Sequence, residues 1–381
     1  MGRVWLHVAG ESHGPGLTAI LYGLPAGIPW ESDRTDHWLR LRQRFSGRGP
    51  RAGFESEPTQ VLAGIKGKVT NGGPLQLYLP NRDSSGGSQT PEGEAQPIRY
   101  PRPGHADLAG ALKWGLSQAD GVAELASARL TAAYTAAGGV CRQLLSLLGI
   151  EILAHVVRVG EAGTRRRAFL RGTRLLPLVE RAEASRLLCL DARAEPRMLA
   201  QIASAKETRD TVGGEFEVVV GPLPAGLGAP QPLEARLDSR LGQVLMGIPA
   251  VKAVAIGDGM LAGRARGSRF HDAIRFAAGK GYTRPTNRAG GLEGGMTNGE
   301  PLVVRGVLKP LPSLGTPLAS ASLEDGSAGP AARVRSDVCA VPTAALAAGA
   351  LVSVVLAGAI LEQTGGSTLS EVLGRFHGND R

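Results

Sequence analysis

Two histidines stand in sequence contexts that suit acid–base chemistry. His13 lies in the glycine-flanked turn 10–16, and His105 follows Arg102 where the pattern predicts the start of a helix. The pKa of an imidazole lies near neutrality, so a histidine beside a ligand can give or take a proton at physiological pH. For His13 a hydrogen-bonded turn histidine is the alternative. The arginine and the helix start beside His105 favour an anion as its ligand.

Arginines supply a second kind of chemistry, the binding of phosphate. Arg42 and Arg48 belong to a basic segment that Gly47 and Gly49 interrupt. A guanidinium group binds phosphate through two parallel hydrogen bonds. The glycines predict that this segment is a loop. A solvated basic loop and a patch that binds nucleic acid are the alternatives.

The most glycine-rich stretch, residues 287–299, contains the pairs Gly290-Gly291 and Gly294-Gly295. Such a density of glycine predicts a very close approach of the backbone to a neighbour, or repeated positive φ angles. Backbone N–H groups in this arrangement can bind a flat or anionic ligand. A tight β-turn with nothing bound is the alternative.

The elements that position these residues follow from hydrophobic patterning. Strands are predicted at 4–9 and 17–24, on either side of the His13 turn, and a helix is predicted from Ser32, as its N-cap, to residue 41. A long helix is predicted at 122–148. The uncharged residues 343–361 are long enough to span a membrane, but a helix apolar on all sides is also typical of a large soluble core, which is the interpretation favoured here.

Composition and charge narrow the class of protein. The 381 residues are 43% hydrophobic and 20% charged, which is typical of a globular chain, and the formal net charge is +9. The positive charge favours anionic partners, while only 4% aromatic residues argue against base stacking on single strands. The three cysteines are far apart, so they indicate a reducing compartment and predict no metal site.

The sequence also repeats itself in short pieces. Leu-Pro-Ala-Gly at 24–27 recurs at 223–226, and Thr-Asn-Gly at 70–72 recurs at 297–299. An arginine with an acid–base residue follows in each half, Arg102 with His105 and Arg335 with Asp337. The shared order predicts an ancient duplication that presents a histidine and an aspartate from equivalent corners.

Five longer motifs resemble those of the chorismate synthase family. They are Gly10-Glu11-Ser12-His13-Gly14, Arg102-Pro103-Gly104-His105-Ala106-Asp107-Leu108, Ile248-Pro249-Ala250-Val251-Lys252, Asn287-Arg288-Ala289-Gly290-Gly291-Leu292-Glu293-Gly294-Gly295 and Arg335-Ser336-Asp337-Val338-Cys339-Ala340-Val341-Pro342. The resemblance implies a single α+β domain, 1–381, with helices sandwiched between antiparallel β-sheets. It also implies a cytoplasmic homotetramer that binds neither membrane nor nucleic acid.

The same resemblance implies the activity. Chorismate synthases remove phosphate and a C6 hydrogen from 5-enolpyruvylshikimate 3-phosphate, giving chorismate in the last step of the shikimate pathway to aromatic amino acids. These lyases require reduced FMN without net redox change, and NADPH is a possible reductant. When the family's roles are carried over to this sequence, the resemblance implies that His13 protonates reduced flavin and that His105 is the acid near the leaving phosphate. It also implies that Asp337 acts with the flavin N5 in removing the C6 proton.

The binding residues are carried over in the same way. Arg42 and Arg48 fall at positions for contact with a nicotinamide nucleotide or the substrate phosphate. The remaining cofactor-binding positions are Ser127, Arg129, Pro249, Ala250, Gly294, Lys309, Pro310, Leu311, Pro312, Ser313 and Arg335.

One predicted helix departs from the family pattern. Leu125, Leu130 and Tyr134 stand where the family has charged residues. Leu125, Arg129 and Tyr134 are expected to lie close to one helix face, with Leu130 four residues before Tyr134. This face is expected to meet the flavin, with Arg129 as the remaining cation. Lost positive charge there predicts weak FMN binding. The alternative function is therefore a degenerate relative that binds FMN or a phosphorylated ligand without turnover. A basic nucleic-acid-binding protein is a third hypothesis, which the two histidines and Asp337 disfavour.

Overall fold

The computed structural model describes residues 4–49, 58–81, 97–165, 167–279 and 281–378. The strands are β1 (Trp5–Gly10), β2 (Gly16–Tyr22), β3 (Gln60–Ala63), β4 (Ile65–Lys66), β5 (Val69–Thr70), β6 (Leu75–Pro80), β7 (Glu151–Val159), β8 (Ala162–Gly163), β9 (Gly214–Gly221), β10 (Val251–Ile256), β11 (Arg275–Ala277), β12 (Gly281–Thr283), β13 (Leu292–Glu293), β14 (Met296–Thr297), β15 (Leu302–Leu308), β16 (Ala319–Ala321) and β17 (Ala328–Pro330). The helices are α1 (Ser32–Arg44), α2 (Asp107–Trp114), α3 (Asp120–Leu125), α4 (Leu130–Leu147), α5 (Leu176–Ala184), α6 (Glu195–Glu207), α7 (Leu237–Met246), α8 (Gly259–Ala262), α9 (Gly267–Phe270), α10 (Val341–Thr364) and α11 (Leu369–Gly378).

The two large sheets share one antiparallel topology. The first sheet has the strand order β1-β2-β6-β3, and the second has the order β10-β15-β9-β7-β8. Beginning at β7, the second sheet runs β7-β9-β15-β10, so its strands follow the order of the first sheet, and β8 is an addition at the edge. The topology supports the duplication that the repeated sequence pieces predict.

The repeated pieces also fold alike. Thr70 and Thr297 are both buried, at 3% exposure each. The Thr70 hydroxyl donates to the Pro25 carbonyl oxygen at 2.6 Å, and the Thr297 hydroxyl donates to the Pro224 carbonyl oxygen at 2.6 Å. Each hydroxyl also accepts a hydrogen bond at 2.9 Å from the backbone N–H of the residue that follows its Leu-Pro-Ala-Gly run, Ile28 or Leu227. The same hydrogen bonds therefore close one corner of each half.

Two long helices lie between the sheets. α4 packs against β1, β2 and β6 of the first sheet, and α10 packs against β7 and β9 of the second. The helices also pack on each other, and a Cβ atom at Gly138 of α4 would lie 2.4 Å from the Ala350 Cβ of α10. Glycine is thus required where the two backbones meet. The predicted α+β fold with helices between antiparallel sheets is confirmed.

α10 carries the apolar segment that raised the question of a membrane span. By length and composition the helix is able to cross a membrane, yet its most apolar window is 100% buried within the fold. A helix surrounded by protein on all sides is apolar on all sides. The core-helix interpretation is confirmed for this segment.

We expect Leu351→Ala to lower the free energy of unfolding by about 2–3 kcal/mol, because it leaves a cavity in a packed core. Leu351 is 6% exposed in α10, whereas Leu112 of α2 is 72% exposed. Leu112→Ala is the matched control, and its effect should stay within about 0.5 kcal/mol. Urea unfolding of both variants measures the difference. Equal effects would contradict the burial of α10.

Three local predictions are wrong. The helix predicted at 122–148 is two helices, α3 and α4, with a break at 126–129. The N-cap of α1 is Glu31, and Ser32 is the first helical residue. The basic segment is only partly a loop, because α1 continues to Arg44 and includes Arg42. At the break, Ser127 contacts Ser12, a tertiary contact that a local pattern does not contain.

Candidate functional site

One cavity of about 460 Å³ is lined by most of the predicted catalytic and binding residues. Its walls come from both halves of the fold: the turn between β1 and β2, the end of α1, the start of α2, the link between α3 and α4, the approach to β10, the end of β15 and the start of α10. A volume of this size is typical of a site for a cofactor or small ligand.

The cavity contains all the predicted site residues except Gly294 and Pro310. Those that line it are His13, Arg42, Arg48, His105, Ser127, Arg129, Pro249, Ala250, Lys309, Leu311, Pro312, Ser313, Arg335 and Asp337. Gly294 lies at the turn between β13 and β14 with a φ of +59°. Within the glycine-rich stretch, β13 and β14 form a tight β-hairpin. The stretch contacts β15, the strand whose last residue, Leu308, lines the cavity. The cofactor role of Gly294 stays a prediction.

His13 is paired with a glutamate that the sequence did not single out. Glu124 of α3 accepts a hydrogen bond from the His13 backbone N–H at 2.6 Å and a second from the ring Nδ1 at 2.5 Å. The neighbouring Ser127 donates to the Ser12 hydroxyl at 3.1 Å. These contacts fasten the turn between β1 and β2 onto the α3–α4 link.

His105 contacts a buried ion pair between Arg102 and Asp107. Its Nδ1 donates to Asp107 Oδ1 at 2.5 Å, and Asp107 is fully buried. Arg102 donates to the same carboxylate through its backbone N–H, Nε and Nη2 at 3.0, 2.7 and 2.9 Å. Burial alone would raise the pKa of Asp107, but the hydrogen bonds from His105 and Arg102 outweigh it and hold that pKa well below its usual range.

Asp337 is held by two donors from the segment that follows α1. Arg48 Nη1 donates to Oδ2 at 2.7 Å, and the Gly49 backbone N–H donates to Oδ1 at 2.6 Å. A side chain on Gly49 would come within 3.0 Å of the Ser336 carbonyl oxygen, so glycine allows this close approach. The carboxylate is thereby fixed before any ligand arrives.

Arg42 and Arg48 thus reach the cavity from different elements. Arg42 projects from the last turn of α1, is 2% exposed, and donates to the Thr131 hydroxyl at 2.8 Å. Arg48 follows the helix and contacts Asp337. The prediction of a single loop carrying both arginines is corrected, although both line the cavity.

The run after β15 closes another wall. The Lys309 backbone N–H donates to the Ala250 carbonyl oxygen at 3.0 Å, and its Nζ donates to the Gly104 carbonyl oxygen at 2.5 Å. Burial and the nearby Lys252 lower the pKa of Lys309. Ala250 has a φ of +70°, a costly conformation for a residue with a side chain. Packing therefore imposes the local backbone shape at this wall.

The cavity as a whole suits a flat, apolar and anionic ligand. Cations outnumber carboxylates on its walls, which favours a phosphate group. Apolar wall residues provide a surface for a planar ring. The cations are Arg42, Arg48, Arg102, Arg129, Lys309 and Arg335, and the apolar residues include Ile248, Leu308, Leu311, Pro312 and Val334.

Comparison with known proteins agrees with this geometry. The sequence profile of the chorismate synthase family matches residues 4–361. The chain belongs to the chorismate synthase family. The chorismate synthase of Moorella thermoacetica is 46% identical over 373 residues, covering 97% of this chain and 96% of the relative. That of Aquifex aeolicus is 40% identical over 378 residues, covering 97% and 95%.

A solved structure gives the same assignment. A crystal structure of a chorismate synthase matches with a TM-score of 0.81 and 35% sequence identity, covering 99% of this chain and 97% of that chain. The resemblance drawn from the motifs is confirmed, and this family member is an enzyme, a lyase acting on a small phosphorylated substrate. Membership in the chorismate synthase family also implies a requirement for reduced flavin.

The residues that depart from the chorismate synthase pattern lie outside the cavity that the described residues form. Leu125 ends α3 and is 51% exposed, while Leu130 and Tyr134 begin α4 and pack against the main hydrophobic core. The expectation of one helix face towards the flavin is wrong, because the helix is interrupted at 126–129. The argument for weakened FMN binding and a degenerate relative therefore loses its basis.

Proposed function

We propose that this cavity catalyses the elimination of phosphate from 5-enolpyruvylshikimate 3-phosphate to give chorismate, the last step of the shikimate pathway. The observation that carries the proposal is the convergence of His13, His105 and Asp337 on one cation-rich cavity. Each of the three side chains is already held by a hydrogen-bonded partner: each histidine contacts a carboxylate, and the aspartate contacts an arginine. Such preorganised acid–base groups are what an elimination requires.

FMN is the proposed flavin, and the residues present fit it. The apolar wall suits the ring, and the arginines and Lys309 suit the phosphates of cofactor and substrate. The wall residues proposed to hold it are Ser127, Arg129, Pro249, Ala250, Lys309, Leu311, Pro312, Ser313 and Arg335. Pro310, between two of them in sequence, and Gly294, at the turn between β13 and β14, are proposed with them. When bound, reduced flavin supplies electron density to the reacting substrate with no net redox change.

The protein's own groups then handle the protons. His105 donates a proton to the departing phosphate while Arg102 and Asp107 keep its ring in place. Asp337 accepts the proton removed from C6. The electrons of that C–H bond form a double bond between C6 and C1, the electrons of the existing C1–C2 double bond move between C2 and C3, and the C3–O bond breaks to release phosphate. His13 is the residue proposed to donate a proton to reduced flavin when the flavin is bound. General acid or base assistance of this kind contributes roughly 100- to 10,000-fold to a rate.

The remaining expectations form part of the same proposal. One hydrophobic core connects elements of both sheets, which supports a single domain over 1–381. We propose a cytoplasmic homotetramer, with NADPH as a reductant for the flavin and without membrane or nucleic-acid partners. Gel filtration with light scattering tests the assembly, and anaerobic FMN reduction with NADPH tests the reductant.

The decisive test of the activity is anaerobic turnover with chemically reduced FMN and 5-enolpyruvylshikimate 3-phosphate. Chorismate and inorganic phosphate should appear in equal amounts while the flavin spectrum returns to that of the reduced form. Binding of FMN and substrate without product would instead support the degenerate relative. If the protein showed neither binding nor turnover, this cavity would be excluded as the site of the reaction.

We expect Arg48→Ala to raise the dissociation constant of the phosphorylated substrate at least about tenfold, the value of one charged hydrogen bond. The change removes a cation from the cavity and leaves the Asp337 carboxylate less compensated. Arg42→Ala should weaken binding similarly, with a check of folding because Arg42 is 2% exposed. Arg44→Ala is the matched control, since Arg44 is exposed in the same helical turn. Calorimetry measures affinity, and unchanged values for Arg48→Ala would exclude its phosphate role.

A further inference from the structure

The contact between Glu124 and His13 has a chemical consequence. An ionised carboxylate only accepts hydrogen bonds, so the ring nitrogen 2.5 Å from Glu124 Oε1 must carry a proton. That nitrogen is Nδ1. In the neutral ring the second nitrogen, Nε2, is then the basic one. Proton exchange with a ligand thus takes place at Nε2 without breaking the contact to Glu124.

Glu124 also fixes where the ring lies. Its second oxygen, Oε2, accepts the His13 backbone N–H at 2.6 Å, so one carboxylate holds both the backbone and the ring of the same residue. The two side chains are 18% and 21% exposed, so the pair lies at the wall of the cavity and not in the hydrophobic core.

We propose that Glu124 is a positioning residue that keeps the proton of neutral His13 on Nδ1 and presents Nε2 to the reacting ligands. The assignment rests on the proposed function for its catalytic meaning, whereas the state of the ring is a property of the chain alone. When His13 is protonated, the Nε2 proton is the one it gives up. The ring then returns to the neutral form with hydrogen on Nδ1, and Glu124 accepts a hydrogen bond in both states.

Glu124→Gln separates this role from a structural one. The Gln carbonyl oxygen can still accept the His13 backbone N–H, which leaves the amide NH₂ group facing Nδ1. An amide NH₂ donates, so Nδ1 must now accept and the ring proton moves to Nε2. The substitution is nearly isosteric and preserves the backbone contact. We therefore expect the tautomer of the ring to invert while the fold is kept.

The experiment combines two measurements on the full-length protein. The ¹³Cδ2 chemical shift of the His13 ring, in protein with labelled histidine and assigned with His13→Gln, reports which nitrogen carries the proton at a pH where the ring is neutral. Steady-state kinetics with reduced FMN and the phosphorylated substrate report turnover. We expect Glu124→Gln to invert the tautomer and to lower kcat at least about tenfold with a smaller change in KM, as when a carboxylate that fixes a histidine tautomer is neutralised.

Glu183→Gln is the matched control. Glu183 accepts a hydrogen bond from His37 Nε2 at 2.9 Å, and both residues lie outside the cavity wall. This variant should leave the His13 signal and kcat unchanged. A wild-type His13 tautomer in Glu124→Gln, or wild-type kcat despite an inverted tautomer, would overturn the assignment. If the wild type itself shows no turnover, the proposed function fails, and the ring signal still decides whether Glu124 sets the tautomer.

Discussion

Asp337→Asn should lower turnover with reduced FMN by about 100- to 10,000-fold, the loss expected when a group that takes a proton is made unable to do so. Asn is nearly isosteric, and its carbonyl oxygen can still accept the Gly49 N–H that Asp337 Oδ1 now accepts at 2.6 Å. The contact to Gly49 is therefore kept, while the oxygen that accepts from Arg48 is replaced by an NH₂ group and the negative charge is removed. The loss should appear in kcat.

Although Asp337→Asn should lower kcat, it should keep or increase the affinity for the substrate. Removal of one negative charge from a cavity whose cations already outnumber its carboxylates favours an anionic ligand. The dissociation constant of the phosphorylated substrate for Asp337→Asn should thus be equal to or below the wild-type value. A variant that binds more tightly and turns over far more slowly would identify a group that acts in the transition state.

The matched control for this variant is Asp238→Asn. Asp238 forms an ion pair with Arg236 at 2.6 Å, so it resembles the Asp337–Arg48 pair, but it lies outside the cavity wall. Its substitution should leave kcat within about twofold, because the effect of an exposed ion pair is small and local. If Asp337→Asn retains kcat at the level of Asp238→Asn, Asp337 does not take the proton.

The sequence allowed prediction of those parts of the site that short motifs carry. His13, His105 and Asp337 stand in glycine- or arginine-containing motifs whose residue types indicate acid–base chemistry, and the structure brings them to one cavity. The duplication was also predictable, because Thr70 and Thr297 recur in the same local context and make the same hydrogen bonds. In these cases the information lies within a few residues of the functional group.

The partners of these groups were not predictable from local sequence. Glu124 is 111 positions from His13, and Arg48 is 289 positions from Asp337. Only tertiary packing brings the members of each pair together, and a glutamate in an alanine-rich helical stretch carries no signal of such a contact. Asp107 lies two residues after His105 in the same motif, but its role depends on full burial, which composition does not reveal.

The helix break at 126–129 has the same kind of cause. The Ser127 hydroxyl accepts the Arg129 backbone N–H at 3.3 Å and donates to Ser12 at 3.1 Å. A serine side chain that bonds the backbone and a distant turn competes with continuation of the helix. Helical periodicity alone could not reveal a partner more than 100 positions away, so the long helix was predicted across the break.

Asp107→Asn should destabilise the protein by about 3–5 kcal/mol at neutral pH, the cost of leaving a buried charge without its partner. Asp107 is fully buried, and Arg102, at 6% exposure, depends on its carboxylate. An Asn side chain offers one acceptor oxygen and an NH₂ group that faces the donors of Arg102 or His105. Arg102 also donates to Ser313 at 2.9 Å, so the damage should extend to the cavity wall.

The effect should depend on pH with a defined sign. Because the pKa of Asp107 is held below its usual range in the folded protein, its carboxylate stabilises the fold at every pH above the unfolded pKa of about 4. As the pH falls below about 4, the unfolded chain binds the proton first and this stabilisation is progressively lost. The difference between wild type and Asp107→Asn should therefore be largest near pH 7 and smaller at pH 3.

Urea unfolding at pH 7 and pH 3 measures both the size and the sign of the effect. Asp238→Asn serves again as control, because its ion pair with Arg236 is about one-third exposed and should cost no more than about 1 kcal/mol. A loss below 1 kcal/mol at pH 7 for Asp107→Asn, or a loss that grows as the pH falls, would contradict a carboxylate held ionised by His105 and Arg102. In that case the orientation of the His105 ring would have to come from the packing around it, and the acid near the leaving phosphate would not depend on Asp107.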